Sequence, residues 1–413
     1  MKVLLVSANT ERLNMVAIPV GLGLVCAAAR AAGHEVEFLD LLAERDPRDS
    51  VRSAIARFAP DVIGISVRNI DDQCRENPRF LLEPVGDLVE ECRASSASPI
   101  VLGGAGYSIF PDEALAYLGA DYGIAGDGEA SFVALLERLE ADRSPADVPG
   151  VYVAGGAPRM SRSWSPKLDR LPLWDDAVAP TPHPDLWIPV QSRRGCPNDC
   201  SYCSTSRIQG RSIRRRSPRR VAQLVGRLSR AGHRRFFFVD NSFNIPEAHA
   251  LELCTELKAL DPHVIWRCIL YPERVSEELV RSMAAAGCAE VSLGFESGCP
   301  RILREMNKRF TPEDVRRTSD LLAAHGIRRM GFLLLGGPGE TRESVEESLA
   351  FAKSLHLDDL RVTVGIRIYP GTPLAKRALS EGVIESEEDL LRPRFYLARG
   401  LEPWIHGRVA AGP

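Results

Sequence analysis

Three cysteines in one short segment are the residues of this chain whose type and spacing point most directly to chemistry. Cys196, Cys200 and Cys203 form a C-x3-C-x2-C pattern with no fourth ligand nearby. A structural zinc site is normally closed by four protein ligands, and an ordinary four-iron cluster also takes four cysteines. Three thiolates from one loop leave one iron of a [4Fe-4S] cluster open to a small molecule. The alternatives are a zinc knuckle or three unrelated buried thiols.

The residue before the last cysteine, Tyr202, is aromatic, and the whole pattern resembles the signature of the radical S-adenosylmethionine (SAM) enzymes. The resemblance implies that the amino and carboxylate groups of SAM chelate the open iron. It also implies that one electron from the cluster cleaves SAM to methionine and a 5′-deoxyadenosyl radical. Tyr202 then either shields the cluster face or serves only in packing.

Composition sets limits on the class of protein. The chain has 413 residues, 45% of them hydrophobic and 26% charged, with a formal net charge of −3. This length allows two or three domains, and the small net charge favours neither nucleic acid nor membrane as a partner. We recognise no signal peptide or membrane-spanning stretch, so we expect a cytoplasmic protein. Its ten cysteines are then reduced thiols or metal ligands.

Two regions of the chain alternate short apolar runs with helical patterns. Residues 1–140 contain five such pairs, which predict an α/β domain with a flavodoxin-like (Rossmann-type), doubly wound parallel sheet. Residues 187–380 contain six, which fit an open (βα)6 barrel and resemble the radical SAM core. Ligands of both folds lie at the carboxyl ends of the strands.

The segments beside these regions have a different character. Residues 141–186 are rich in proline, and we interpret them as a linker with a short hairpin at Val151–Val153 and Arg159–Ser161. Residues 381–413 form a short C-terminal tail, which we expect to pack on the barrel or to plug its open end.

Polar residues end two of the predicted barrel strands. Asp240 ends the second strand, and the family resemblance implies that it contacts the SAM amino group; a role as a helix cap fits it poorly. Glu296 and Ser297 end the fourth strand, and a glutamate in an apolar strand end is costly to bury without hydrogen bonds. The resemblance assigns this pair to the SAM ribose or carboxylate, with a helix cap as the alternative.

The fifth and sixth predicted strands end in glycine and proline. Gly336, Gly337 and Pro338 belong to a segment that resembles the family's G-x-I-x-G-x-x-x-E adenine-binding element, with Leu333 in place of the usual isoleucine. A turn before a helix is the alternative. Residues 369–373, Y-P-G-T-P, resemble a segment of radical SAM enzymes that carry cobalamin domains.

The N-terminal domain places glycine-rich turns after its predicted strands, and these turns resemble the loops of a cobalamin-binding domain. A generic flavodoxin-like domain is the alternative. The D-x-H-x-x-G motif, whose histidine ligates cobalt in many such domains, is absent. Cobalamin would then have its lower face open or met by another group. The residues implied in cobalamin binding are Ser66, Arg68, Gly103, Gly104, Gly106, Gly126 and Glu129.

A basic run follows the cysteine loop, and an anionic substrate, the SAM carboxylate or nucleic acid could each explain it. We do not expect nucleic acid, because no RNA-binding appendage is recognisable. The run consists of Arg207, Arg211, Arg214, Arg215, Arg216, Arg219 and Arg220.

The leading hypothesis is a cobalamin-dependent radical SAM enzyme that abstracts hydrogen from an unactivated carbon and methylates it through methylcobalamin. Its partners are then a small-molecule substrate, such as a specialised metabolite, and an electron donor such as flavodoxin or ferredoxin. Three alternatives remain: ring formation, contraction or oxidation with the same cofactors; a radical SAM enzyme whose N-terminal domain only docks; and a non-catalytic zinc or iron–sulfur protein.

Overall fold

Two six-stranded sheets, each covered by helices, make up the framework of the molecule. The structure is a computed structural model, and it describes residues 1–12, 16, 18–157, 161–174, 179–261 and 263–410. None of the helices in these ranges is both long enough and apolar enough to cross a membrane.

The first sheet has the strand order β2-β1-β3-β4-β5-β6, in which the first five strands are parallel and β6 is antiparallel to β5. This is the flavodoxin-like order that the alternation predicted. The strands are β1 (Lys2–Ser7), β2 (Glu35–Asp40), β3 (Val62–Ser66), β4 (Ile100–Gly103), β5 (Tyr122–Ile124) and β6 (Val151–Val153). The helices are α1 (Val20–Ala31), α2 (Pro47–Phe58), α3 (Leu82–Ser95), α4 (Ala105–Ile109), α5 (Pro111–Leu118) and α6 (Gly128–Glu140).

Strand β6 is the first arm of the hairpin predicted within the linker at Val151–Val153 and Arg159–Ser161. It pairs with β5, a partner that the sequence did not indicate. Val151 and Tyr152 are both buried, and covering the β5 edge removes them from water. Arg159, in the other arm of the predicted hairpin, lies outside the described residues.

The second sheet is an open barrel of six parallel strands, and it confirms the predicted (βα)6 architecture. Its strands in spatial order are β7 (Trp187–Val190), β10 (Arg235–Phe238), β11 (Ile265–Leu270), β12 (Cys288–Glu296), β13 (Arg328–Leu335) and β14 (Asp359–Val364). The two-residue strands β8 (Arg193–Arg194) and β9 (Arg214–Arg215) pair beside the cysteine loop.

Helices join these strands, and the larger ones cover the outside of the barrel. They are α7 (Thr205–Gln209), α8 (Pro218–Arg230), α9 (Glu247–Lys258), α10 (Glu277–Ala285), α11 (Pro300–Glu305), α12 (Pro312–Ala324) and α13 (Arg342–Ser354). Capping boxes at Thr311 and Thr341 satisfy the first backbone N–H groups of α12 and α13.

The C-terminal segment packs on the barrel. It consists of β15 (Ile366–Arg367), α14 (Pro373–Ser380), β16 (Phe395–Tyr396) and α15 (Trp404–Ala410). Strand β16 pairs with β15, and the Ala398 backbone N–H donates to the Gly336 carbonyl at 2.9 Å. One apolar cluster runs from Leu4 in the first sheet to Ile405 in α15, so the two sheets share a core.

Trp266 occupies the centre of the barrel core and offers a direct test of its packing. Its ring lies 5.3 Å from that of Phe238 and 5.0 Å from that of Phe243, and it is fully buried. We expect Trp266→Ala to lower the free energy of unfolding by about 3–5 kcal/mol. Ile265→Ala is the matched control on the same strand, since Ile265 is 45% exposed. Chemical denaturation measures the free energy of unfolding of both variants. Equal losses of stability in the two variants would contradict this packing.

Candidate active site between the two domains

The cysteine loop lies between β8 and α7, and its three thiols are free and half-buried. Gly195 opens the loop with φ +89°, and a Cβ at this position would lie 2.1 Å from the Ser212 carbonyl oxygen, so only glycine fits the turn. The backbone N–H of Ser201 donates to the Met306 carbonyl at 3.0 Å, and its own carbonyl accepts from Leu374 N–H at 2.9 Å. Distant barrel segments therefore hold the loop.

The thiols form a plausible donor set for a cluster rather than for a single ion. Within the described residues, no group of three or more His, Cys, Asp or Glu side chains converges on one point. In a four-iron cluster each thiolate binds a different iron, so such convergence is not required. Burial raises the pKa of Cys196 and Cys200, and the negative charge of Cys203 raises both further. A bound metal would relieve this cost by ligating the thiolates.

A buried polar group adjoins the loop at the end of β12. The Tyr202 hydroxyl donates to Glu296 Oε1 at 2.9 Å, and Lys308 Nζ lies 3.3 Å from the same oxygen. Burial and the Glu296 charge raise the pKa of Tyr202, so its hydroxyl keeps its proton. Tyr202 thus links the cysteine loop to β12. Lys308 was missed from the sequence, because nothing in its local pattern distinguishes it from a surface lysine.

Two residues predicted to contact SAM are buried and hydrogen-bonded within the protein. Asp240 is 1% exposed, and its carboxylate accepts from the backbone N–H groups of Ser192 and Arg193 at 2.9 and 3.1 Å. Ser297 is fully buried, and its hydroxyl accepts from Cys299 N–H at 3.1 Å at the start of α11. Asp240 anchors the chain after β7, and Ser297 also bonds to the Ser348 hydroxyl at 2.8 Å. Contact of either residue with SAM remains a prediction.

The predicted adenine element is organised by a buried carboxylate. Glu340 accepts from the backbone N–H groups of Gly336 and, at 2.8 Å, of Gly337, and these bonds shape the turn that contains Pro338. Burial raises the pKa of Glu340 to about 7, although the hydrogen bonds from the two backbone N–H groups act in the opposite direction. The tail covers this turn, since a Cβ on Gly336 would meet Leu397 at 2.4 Å. Contact of these residues with adenine remains a prediction.

A cavity of about 280 Å³ opens at the carboxyl ends of the first sheet, against the barrel. Its floor is apolar and includes Leu5, Val101 and Phe132. Six of the seven residues predicted to bind cobalamin line it, namely Ser66, Arg68, Gly103, Gly104, Gly126 and Glu129. Gly106 does not line the cavity. It packs against the loop that carries Arg68, where a Cβ on Gly106 would lie 3.1 Å from the Arg68 carbonyl. The barrel contributes Gln191, Arg194, Ile208 and Gln209.

The cavity suits a large planar cofactor with a tail. Gly104 has φ +102°, and a Cβ there would lie 2.5 Å from the Val67 carbonyl oxygen, so the two loops meet closely at the rim. The apolar floor extends between strands and helices of the first sheet, where a flat nucleotide base would be shielded from water. No histidine occurs among the described residues that line the cavity.

Gln209 joins the cavity to the cysteine loop. It lines the cavity, and its Oε1 accepts from the Gly195 backbone N–H at 3.2 Å and from Asn241 Nδ2 at 2.8 Å. This one side chain therefore touches the start of the cysteine loop, the end of β10 and the cavity. Sequence reasoning did not single it out, because glutamine in a short helix carries no distinctive signal.

A buried ion network closes the boundary between the domains. Arg194 donates to Glu129 at 3.0 Å and lies 3.1 Å from Asp127, which also pairs with Arg214; all four side chains are at most 8% exposed. Burial raises the pKa of Glu129, but Arg194 outweighs it and holds that pKa below its usual value. The Glu129 carboxylate thus pairs with Arg194 while the residue also lines the cavity, and its contact with cobalamin remains a prediction.

The same network explains part of the basic run. Arg214 pairs with Asp127, and Arg216 donates to the carbonyls of Leu168 and Leu171 at 2.7 and 3.1 Å. These arginines tie the linker to both domains. The anionic partners considered from the sequence are therefore not needed to explain them.

A second buried pair joins the domains beside the cavity. Arg367 of β15 lies 2.7 Å from Asp71, and both side chains are at most 3% exposed. Asp71 belongs to the loop that carries Arg68, so the barrel helps to position that loop. Arg68 is exposed to the cavity, and desolvation by the surrounding protein lowers its pKa.

Both predicted domains match known families. Residues 6–136 match the B12 binding domain, and residues 190–352 match the Radical SAM superfamily. The uncharacterized methyltransferase PH0819 of Pyrococcus horikoshii is 26% identical over 398 residues, which are 93% of this chain and 84% of that protein. The tryptophan 2-C-methyltransferase of Streptomyces laurentii is 25% identical over 438 residues, 89% of this chain and 73% of that protein.

A solved structure supports the same architecture. The radical SAM methyltransferase TsrM from Kitasatospora setae, with cobalamin and a [4Fe-4S] cluster bound, superposes with a TM-score of 0.86 at 22% identity. The match covers 99% of this chain and 88% of that one. At this identity the likeness shows the fold alone.

The network at the domain boundary should be sensitive to loss of one charge. We expect Glu129→Gln to lower the free energy of unfolding by about 3 kcal/mol, because it leaves Arg194 buried with only part of its compensation. Glu83→Gln is the control, since Glu83 and its partner Arg392 are 61% and 58% exposed and the change should cost under about 0.5 kcal/mol. Chemical denaturation measures both, and similar small losses would contradict the assignment.

Glu340 should impose a pH dependence on stability. The pKa of Glu340 is about 7 in the folded protein and 4.5 in an ordinary glutamate. Between pH 4.5 and pH 7 the unfolded chain has therefore released a proton that the folded chain retains. Stability should therefore fall as the pH rises through this window, by up to about 3 kcal/mol, and level off above it. Denaturation of wild type and Glu340→Gln across this range measures the difference. Exposed Glu343→Gln is the control, and a pH-independent difference would refute the assignment.

Proposed function

Because the chain is a radical SAM enzyme with an N-terminal B12-binding domain, we propose that it is a cobalamin-dependent methyltransferase acting on an unactivated carbon of a small molecule. When bound, the cluster supplies the electron that cleaves SAM to a 5′-deoxyadenosyl radical, and cobalamin supplies the methyl group. The two relatives described above, from Pyrococcus horikoshii and Streptomyces laurentii, are named as methyltransferases, which favours methyl transfer over ring formation or oxidation.

One observation carries this proposal: Gln209 contacts the cysteine loop and the cavity at once. Helix α7 begins two residues after Cys203 and rises about 1.5 Å per residue, so the cavity wall at Gln209 lies within about 10 Å of the loop along the chain. Two cofactors held at these places can act on one substrate between them. A domain used only for docking would not require this shared wall.

The chain's own residues have distinct roles in the proposal. Cys196, Cys200 and Cys203 hold the cluster, and the Gly336 turn, shaped by Glu340, receives the adenine of SAM. Glu296, which is partly exposed and held by Tyr202 and Lys308, remains available to the SAM ribose or carboxylate. The apolar floor excludes water from the tail of cobalamin.

Arg68 is the candidate neighbour of the lower face of cobalamin. Arg68 lines the cavity and forms no ion pair with a carboxylate of the described residues. No histidine of those residues lines the cavity. If cobalamin binds in this cavity, the Arg68 guanidinium would contact it as a hydrogen-bond donor and would not ligate the cobalt. An external electron donor such as flavodoxin or ferredoxin completes the proposed reaction.

The cluster assignment predicts the metal content of variants. Anaerobically purified wild type should hold about four irons and one cobalt per chain, and Cys196→Ala/Cys200→Ala/Cys203→Ala should lose the iron but keep the cobalt. Cys74→Ala, which removes an exposed cysteine outside the loop, is the matched control and should keep both. Zinc in place of iron, or no cobalt after reconstitution with hydroxocobalamin, would overturn the proposal.

Product analysis tests the reaction itself. Wild type incubated with SAM, a reductant and candidate substrates should release 5′-deoxyadenosine and a product heavier by one CH₂ unit, whereas the triple cysteine variant should release neither. A product of unchanged or lower mass would replace methyl transfer by the ring-forming or oxidative alternative.

A further inference from the structure

We propose that Lys308 is a positioning residue that makes the cluster held by the cysteine loop easier to reduce, by fixing one positive charge beside it. The inference rests on the proposed function, since it requires a cluster at the three cysteines. It concerns the one-electron reduction of the cluster, which does not require the substrate.

Lys308 belongs to a segment that is bonded directly to the cysteine loop. The Met306 carbonyl accepts from the Ser201 backbone N–H at 3.0 Å, and Asn307 Nδ2 donates to the Asp199 carbonyl at 3.2 Å. These contacts lie on either side of Cys200 in the sequence. The segment therefore moves with the loop, and its lysine keeps a constant position relative to the cysteines.

The ammonium group is enclosed by aromatic rings. The Lys308 side chain is 4% exposed, and Nζ lies 5.3 Å from the ring centre of Tyr202, 5.7 Å from that of Phe310 and 5.9 Å from that of Tyr271. Ring faces attract a cation, and this attraction is stronger where water is excluded. Although burial disfavours the charge, the pKa of Lys308 is raised above its usual value, because the Glu296 carboxylate 3.3 Å away stabilises the ammonium form.

A fixed charge in a poorly solvated place acts strongly on its neighbours. The ammonium lies 5.3 Å from the ring centre of Tyr202, a residue of the cysteine loop between Cys200 and Cys203, so the charge is held beside the thiols that would ligate iron. Adding an electron makes a thiolate-bound cluster more negative, and a nearby cation favours that state. Glu296 offsets part of this charge, so loss of Lys308 would also leave an uncompensated carboxylate near the loop.

The test is a redox titration of the holoenzyme without SAM. In Lys308→Met we expect the ratio of reduced to oxidised cluster at a given potential to fall at least tenfold, which is about 59 mV for one electron. Lys308→Arg should restore most of the wild-type value. Arg309→Met is the matched control, because that cation also faces the loop, 3.4 Å from Asp199, but is 50% exposed and screened by water.

The outcomes separate this inference from the proposed function. Iron absent from wild type would remove the proposed function itself. With iron present, an unchanged potential in Lys308→Met would overturn the role of Lys308, as would an equal shift in Arg309→Met or a loss of SAM affinity alone. If Lys308→Met does not retain iron, the same redox titration is done on Lys308→Gln. The double variant Lys308→Met/Glu296→Gln should recover part of the shift in potential, because it removes both charges.

Discussion

The pairing of buried charges at the domain boundary is the constraint on which the rest of the structure depends. Arg194 directly precedes Gly195 and the cysteine loop, whereas Glu129 lies in the first turn of α6 at the cavity wall. A buried charge that loses its partner is strongly destabilising, so the ion pairs hold the two domains in one arrangement. Their pairing therefore sets the distance between the place for the cluster and the place for cobalamin.

The same principle operates on the other side of the cavity and inside the barrel. The Asp71–Arg367 pair joins the loop that carries Arg68 to β15. Glu296 compensates Lys308, whereas burial raises the pKa of Glu340 against its hydrogen bonds from backbone N–H groups. The site is thus built from charges whose partners come from distant parts of the chain. This explains why polar residues near it serve mainly to hold loops in place.

The elements themselves could be predicted closely from the sequence. The alternation of apolar runs with helical patterns was sufficient for both sheets, because a buried parallel strand and its covering helix each impose a local period. The cysteine spacing and the glycine turns were also recognisable, since their chemistry depends on neighbours in the sequence. The pairing of strand β6 with β5 was not predicted, because such a strand is defined by its partner rather than by its own pattern.

The sequence by itself therefore determined the two-domain α/β architecture, the loop of three cysteines and the loops that surround the cavity. Only the tertiary structure decided the partners of the charged residues. It turned Asp240 and Glu129 inward, assigned Arg214 to the domain boundary, and placed Lys308 beside the cysteine loop. The physical reason is that local periodicity reports which face of an element is buried, whereas the environment of a buried charge depends on which distant segments pack against it.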